Sequence, residues 1–214
     1  AGRDLADIFA TSSGNVDGAG KTNYLPVWSD PNTLGNSIAC QSTSLLSVGG
    51  ALSARNFCAS DSYNNQKWGY QALGSNTTGC YNTGIGYSAL QSNTTGNNNN
   101  ALGANALFGN TIGCHNNALG YLTLCSNTEG HNNFAAGFIA LYKNTTGNYN
   151  NAFGVAALAA NTTGCYNNAI GPNALNSNTT GNYNTAIGNE ALCGSLSGDH
   201  NFAAGLCALY SNWG

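Results

Sequence analysis

The groups with the widest chemical range in this chain are its cysteines, histidines and tyrosines, and their spacing decides what they can do. Cys80, Cys114 and Cys165 differ in position by whole multiples of 17, and so do Cys125 and Cys193. If 17 residues make one coil of a stack, Cys80 and Cys114 stand two coils apart, about 10 Å, beyond the ~7 Å Cα limit for a disulfide. Three symmetry copies of one cysteine could not all pair either. The expectation is free thiols acting as small apolar groups, as a cytoplasmic assembly site allows.

His115, His131 and His200 fall at turn-proximal strand positions of separate copies, where Tyr or Asn stands elsewhere. No cysteine or carboxylate recurs beside them, so no metal site is expected. The acids are scattered, without a Ser-His-Asp or paired-carboxylate arrangement. The chain is therefore read as not an enzyme, with no catalytic residue and no cofactor. Five "NTT" triplets, at Asn76, Asn93, Asn144, Asn161 and Asn178, match glycosylation acceptors but are explained more simply as a repeated turn. The Thr column from Thr77 to Thr179 gives an even hydroxyl row, similar to those of ice-binding solenoids, but neighbouring positions are interrupted by Ile112, Glu129 and Leu196. Tyr81, Tyr149, Tyr166 and Tyr183 could stack on sugars; packing along a ladder is the plainer account.

What positions these groups is the repeat. Asn76, Asn93, Asn110, Asn127, Asn144, Asn161 and Asn178 each open a copy, at a constant step of 17 residues, and the phase holds from about residue 59 to 214. Each copy carries two glycines. One closes the "NTTG" segment, as Gly147 does, where turn chemistry predicts φ > 0. The other follows the strand-like triplet, as Gly154 does. Between these corners lie two apolar pairs, such as Ala186-Ile187 and Ala191-Leu192, and a Leu column from Leu73 to Leu209 has no exception. The unit is too short for a helix pair and shows no heptad. It predicts an all-β fold, a β-solenoid or β-roll of 17-residue coils. A strand is expected around "YNNAIG", and a second strand or short helical turn around the Ala-Leu pair. Stacked side chains should form ladders, with Asn amides bonded between coils. Phe134-Ala135-Ala136 and Phe202-Ala203-Ala204 reverse the volumes found in Asn151-Ala152-Phe153, as if the two outer sites shared one interior cavity.

Composition narrows the function. Charged residues make up 6% of the 214, against about 25% in ordinary soluble domains. A net charge of −3 leaves no basic patch for nucleic acid or an anionic membrane. No apolar run reaches the ~18 residues of a membrane span, and no signal-peptide pattern opens the chain. Apolar content per coil is thin, about four side chains with two of them Ala, so a homo-oligomer is expected, with a trimer the leading form. Residues 1–22 read as an attachment peptide or linker, and residues 23–58, punctuated by Pro26, Pro31 and Gly49-Gly50, as a small β module. The solenoid occupies 59–214.

"TNYLPVWSDPNTLGNSI" (Thr22–Ile38) resembles the opening module of tail-fibre proteins of tailed bacteriophages, particularly marine and cyanobacterial ones, and "NTTGNYNTAIGNEAL" resembles repeats of the same fibres. The "NNAIG" core is similar to the "SVAIG" repeat of YadA-like trimeric adhesin heads, whose repeat is shorter than 17. These resemblances imply a trimeric virion appendage acting in host attachment. The N-terminal segment would bind tail or baseplate proteins, and the rod would meet a host surface receptor, glycan included. The array stops at "SNWG" without the chaperone domain common in such fibres, which implies a short or processed fibre. Receptor contact at a distal tip would fall on Tyr210 and Trp213. The alternatives are a bacterial surface adhesin or extracellular filament subunit and, third, an ice-binding solenoid.

Overall fold

The computed structural model describes residues 63–211 and, nearer the N-terminus, the backbone of residues 24–30, 33–42 and 45–48. Two compact units divide the chain, Ala1–Phe57 and Cys58–Gly214. In the first, β1 (Tyr24–Asp30), β2 (Thr33–Ser42) and β3 (Leu45–Val48) form an antiparallel sheet in that order. The β1–β2 register shifts after Pro26 and again after Trp28, beside a proline that brings no N–H to the ladder. The attachment peptide expected over 1–22 lies outside the described residues.

The second unit is a parallel β-solenoid of about eight turns. Its nine three-residue strands are β4 (Gln66–Trp68), β5 (Thr83–Ile85), β6 (Asn100–Leu102), β7 (Asn117–Leu119), β8 (Phe134–Ala136), β9 (Asn151–Phe153), β10 (Asn168–Ile170), β11 (Thr185–Ile187) and β12 (Phe202–Ala204). They pair in sequence order in one sheet. Each residue faces its equivalent 17 positions on, as Asn151 faces Asn168 and Asn168 faces Thr185. At the usual strand spacing the stack is on the order of 40 Å long.

The coil Asn144–Ala160 shows how the sequence bends. Three turns in tandem follow β9: Ala157 N–H donates to Gly154 C=O at 3.3 Å, Ala159 N–H to Ala156 C=O at 3.4 Å, and Asn161 N–H to Leu158 C=O at 3.1 Å. The third residues of the first two, Ala156 (φ 55°) and Leu158 (φ 51°), are left-handed, as type II-like turns require. The second strand or helical turn expected around the Ala-Leu pair is thus replaced by turns, and no helix occurs among the described residues. Left-handed backbone at Leu costs about 1–2 kcal/mol. Complete burial of the same side chain offsets this, at about 1.5–3 kcal/mol. Leu90 to Leu192 are all fully buried, while Leu209 in the last coil is exposed.

The two glycine columns differ in their reasons. Gly154 has φ 134°, outside the reach of other residues. The "NTTG" glycine does not have the positive φ expected of it. A Cβ on Gly113 would instead lie 2.4 Å from both Asn110 Oδ1 and the Gly130 carbonyl oxygen. Close stacking, not a left-handed turn, excludes a side chain there.

The core is smaller than the apolar pattern implies. From β5 to β12 only the middle residue of each strand points in: Ala152, Ala169 and Ala186 are fully buried, whereas Phe153, Ile170 and Ile187 are exposed; in β4, the first strand, Lys67 is exposed. Ala186-Ile187 is therefore not an interior pair. Phe134 and Phe153 do share a site, with rings stacked at 4.9 Å, but it lies on the outer face of the sheet. With coils about 4.8 Å apart, an interior lined by Ala, Ala and Leu has no room for a larger strand residue. Thr123 takes one Ala place and is satisfied by donating to the Gly137 carbonyl at 2.7 Å.

Asparagine fills the rest of the interior. The amides expected to bond between coils do so in two buried ladders. In one, Asn110 Nδ2 donates to Asn93 Oδ1 at 2.8 Å and to the Gly113 carbonyl at 3.0 Å, and Asn127, Asn144 and Asn161 repeat the pattern. In the other, Asn133 Nδ2 donates to the Gly147 carbonyl at 2.8 Å, and its Oδ1 accepts the backbone N–H of Asn150 at 3.0 Å. A buried amide with its protons and lone pairs engaged avoids the ~1–3 kcal/mol cost of an orphaned group.

Candidate functional site: the outer columns

Each coil sends a fixed set of positions outward, so the surface is a set of single-file columns. The first follows the "NTTG" glycine and holds Cys80, Asn97, Cys114, His131, Asn148, Cys165, Asn182 and Asp199. From Asn97 to Asp199 these unlike residues do one job, accepting the backbone N–H of the preceding coil. Asn97 Oδ1 takes it from Cys80 at 2.8 Å, Cys114 Sγ from Asn97 at 3.3 Å, and His131 Nδ1 from Cys114 at 3.0 Å. Asn148 Oδ1 takes it from His131 at 2.7 Å, Cys165 Sγ from Asn148 at 3.3 Å, and Asp199 Oδ1 from Asn182 at 2.6 Å. The cysteine also donates two residues back, Cys165 Sγ to the Thr163 carbonyl at 3.3 Å, as Asn148 Nδ2 donates to the Thr146 carbonyl at 2.9 Å. Cysteine here stands in for asparagine. The described cysteines are free thiols, and Cys80, Cys114 and Cys165 in this column make hydrogen bonds through sulfur and are not merely apolar.

The neighbouring column is left-handed, with Tyr149, Tyr166 and Tyr183 at φ 57–59°. Their exposed rings stack at 4.8 and 4.9 Å, nearly parallel, and His200 continues the stack 5.0 Å from Tyr183. Tyrosine packing along a ladder is thus what the structure has. His115 and His200 belong to this column at φ 59° and 58°, whereas His131 belongs to the acceptor column. None lies in a strand, contrary to the sequence reading, because the strand starts two residues or more later. Among the described residues, no three of His, Cys, Asp or Glu come together as a metal-holding group.

The first threonine of "NTTG" is half-buried. Thr145 Oγ1 donates to the Thr162 carbonyl at 3.0 Å, which also receives the backbone N–H groups of Thr145, Thr146 and Gly147 at 2.9–3.4 Å. The second threonine is exposed, as Thr146, Thr163 and Thr180 show. Of the sequon asparagines, Asn93, Asn144, Asn161 and Asn178 are fully buried, and their amide protons are engaged in the ladder. A folded coil offers no acceptor nitrogen to a glycan at these four.

Two further columns escaped the sequence reading. The last strand residue and the residue after the following glycine both face solvent, and both are apolar over most of the solenoid. The missed signal was the alternation inside a three-residue strand, which sends the outer two side chains one way and the middle Ala the other. Tyr210 is exposed, while Trp213 lies outside the described residues.

Burial pushes the Cys125 thiol up, and burial followed by the Glu190 and Cys207 charges pushes Cys193 up. Desolvation, then the Glu190 carboxylate 3.6 Å away, raises Cys207. Each of these three shifts disfavours the thiolate.

Fold and surface together define a parallel β-solenoid repeat protein whose exterior is built from one-residue-wide ladders. No protein-family model matches the chain, and no curated protein matches it.

Proposed function

We propose that this chain is a structural fibre protein, a bacteriophage tail fibre located in the virion, that mediates host attachment as part of a homotrimer. The observation that carries the reading is the unbroken 17-residue register from Asn65 to Asn201, which repeats each outer column once per coil. A rod of this kind offers the same weak contact several times along one line. Linked weak contacts sum through effective concentration, so avidity replaces a single deep pocket. In this reading the N-terminal segment joins tail or baseplate proteins, and the rod meets the host receptor, with Tyr210 and Trp213 as the candidate contact residues.

The experiment is immunogold electron microscopy of native particles with antibody to this chain. Gold on appendages projecting from virion tails is the expected result. Gold on filaments of a bacterial surface would select the adhesin reading instead, and unlabelled particles would reject the virion assignment.

A further inference from the structure

We infer that the apolar columns flanking the second glycine, from Trp68 and Tyr70 to Ala204 and Leu206, are the surface through which copies of this chain pack on one another. The inference rests on the homo-oligomer part of the proposed function and names the face that part requires.

Every coil contributes. Where the strand-end residue is small, as at Ala136 and Ala204, its partner beyond the glycine is large, Phe138 and Leu206; where the partner is small, as at Ala104, the strand end is Leu102. Neither column holds a charged residue across the nine coils. Thirteen large apolar side chains in the two columns are 40–76% exposed, at roughly 70–170 Å² each and about 1,300 Å² together. The largest apolar patch of an ordinary monomer is about 300–600 Å², and a stable complex buries about 800 Å² per partner. This face exceeds the first and suffices for the second.

The occupant is set by pitch. The rows recur at one side chain per coil, so a partner that fills the whole length must carry apolar rows at the same spacing. A second copy of this chain does, and two uncharged apolar faces are complementary to each other, as symmetric association requires. The remaining outer columns are poorer candidates. The acceptor column spends its polar atoms within the solenoid, and the second-threonine column carries Glu129 and hydroxyls that water satisfies equally well.

Hydroxyl-radical footprinting of the full-length chain, with light scattering on the same sample, tests this without a variant. Tyr87, Tyr121 and Phe153 are 56, 49 and 41% exposed in the single chain, close to Tyr149, Tyr166 and Tyr183 at 48, 43 and 52%. In an assembled species the first three should oxidise several-fold more slowly than the second three. Equal rates in an oligomer would overturn the face and leave oligomerisation standing; a monomer would overturn both. A paired substitution adds a second readout. Ile170→Lys with Ile187→Lys should reduce the mass to that of one chain, while Thr163→Lys with Thr180→Lys should leave it unchanged. An Ile variant that keeps the wild-type mass rejects this face.

Discussion

Asn178 and Ser195 occupy consecutive steps of the same buried ladder, and no hydrogen bond joins them: Asn178 Oδ1 and Ser195 Oγ both lack a protein partner. Everywhere else an asparagine one coil on donates to that oxygen, as Asn178 Nδ2 does to Asn161 Oδ1 at 3.0 Å. The hydroxyl of Ser195 is too short to reach. Ser195→Asn should extend the ladder and give Asn178 Oδ1 its missing donor, raising stability by about 1–2 kcal/mol. A thermal unfolding curve with Tm at or below wild type would refute the ladder as a source of stability.

The reverse experiment lies mid-stack. Asn127→Asp keeps the shape of the side chain but removes the two protons given to Asn110 Oδ1 and the Gly130 carbonyl. Losing both bonds and burying a charge should cost at least about 3 kcal/mol. Chemical denaturation should show this as an earlier midpoint.

Glycine substitutions separate strain from crowding. A Cβ on Gly171 (φ 129°) would lie 2.6 Å from the backbone of Gly188, whereas one on Gly205 (φ 123°) would meet nothing nearer than Ala208 Cβ at 3.9 Å. Gly205→Ala should therefore cost only the backbone strain, about 1–3 kcal/mol, and Gly171→Ala distinctly more. Equal losses in the two would mean that the close stacking of glycines contributes nothing.

In the acceptor column, Cys165→Asn should be neutral or stabilising by up to about 1 kcal/mol, because Asn supplies the same acceptor and donor. Cys165→Val removes both and should cost about 1–2 kcal/mol by orphaning the N–H of Asn148. Denaturant midpoints of the pair decide whether the thiol is chosen for hydrogen bonding or for size.

Stability should also fall on the alkaline side. Burial raises Cys125, and desolvation followed by Tyr149 and Tyr183 raises Tyr166. The unfolded chain then releases these protons first, binds fewer than the native state, and is favoured as pH climbs. The contribution is complete below the ordinary thiol range, about 8.5, and is lost as pH rises through the elevated values. Tm followed from neutral to alkaline pH should decline, and less steeply in Cys125→Ala; a rise over that interval would contradict the assignment.

The register was legible because each column answers to one constraint. A glycine that cannot carry a Cβ, an asparagine that must bond to its own image and a leucine that fills a fixed volume all recur without exception through the central coils. Orientation was harder to read. Ala186-Ile187 and Ala191-Leu192 look alike as text, yet Ile187 faces solvent and Leu192 the core, since three residues are too few to reveal a period of two. The acceptor column hid for a different reason: Asn, Cys, His and Asp share a lone pair at similar reach, which residue-class reading does not group together. Positive φ at Leu158 or Ile139 was likewise out of view, because such conformers are rare for these residues and tertiary contacts impose them.

Because each coil bonds only to the coils before and after it, the solenoid is a spool as well as a beam. Tension applied between the chain ends would act on one edge layer at a time. Each layer that lets go releases 17 residues, lengthening the chain by roughly 50–55 Å once the lost layer height is subtracted. A pulled molecule should therefore extend in evenly spaced steps, yielding length gradually where a globular domain would give way at once.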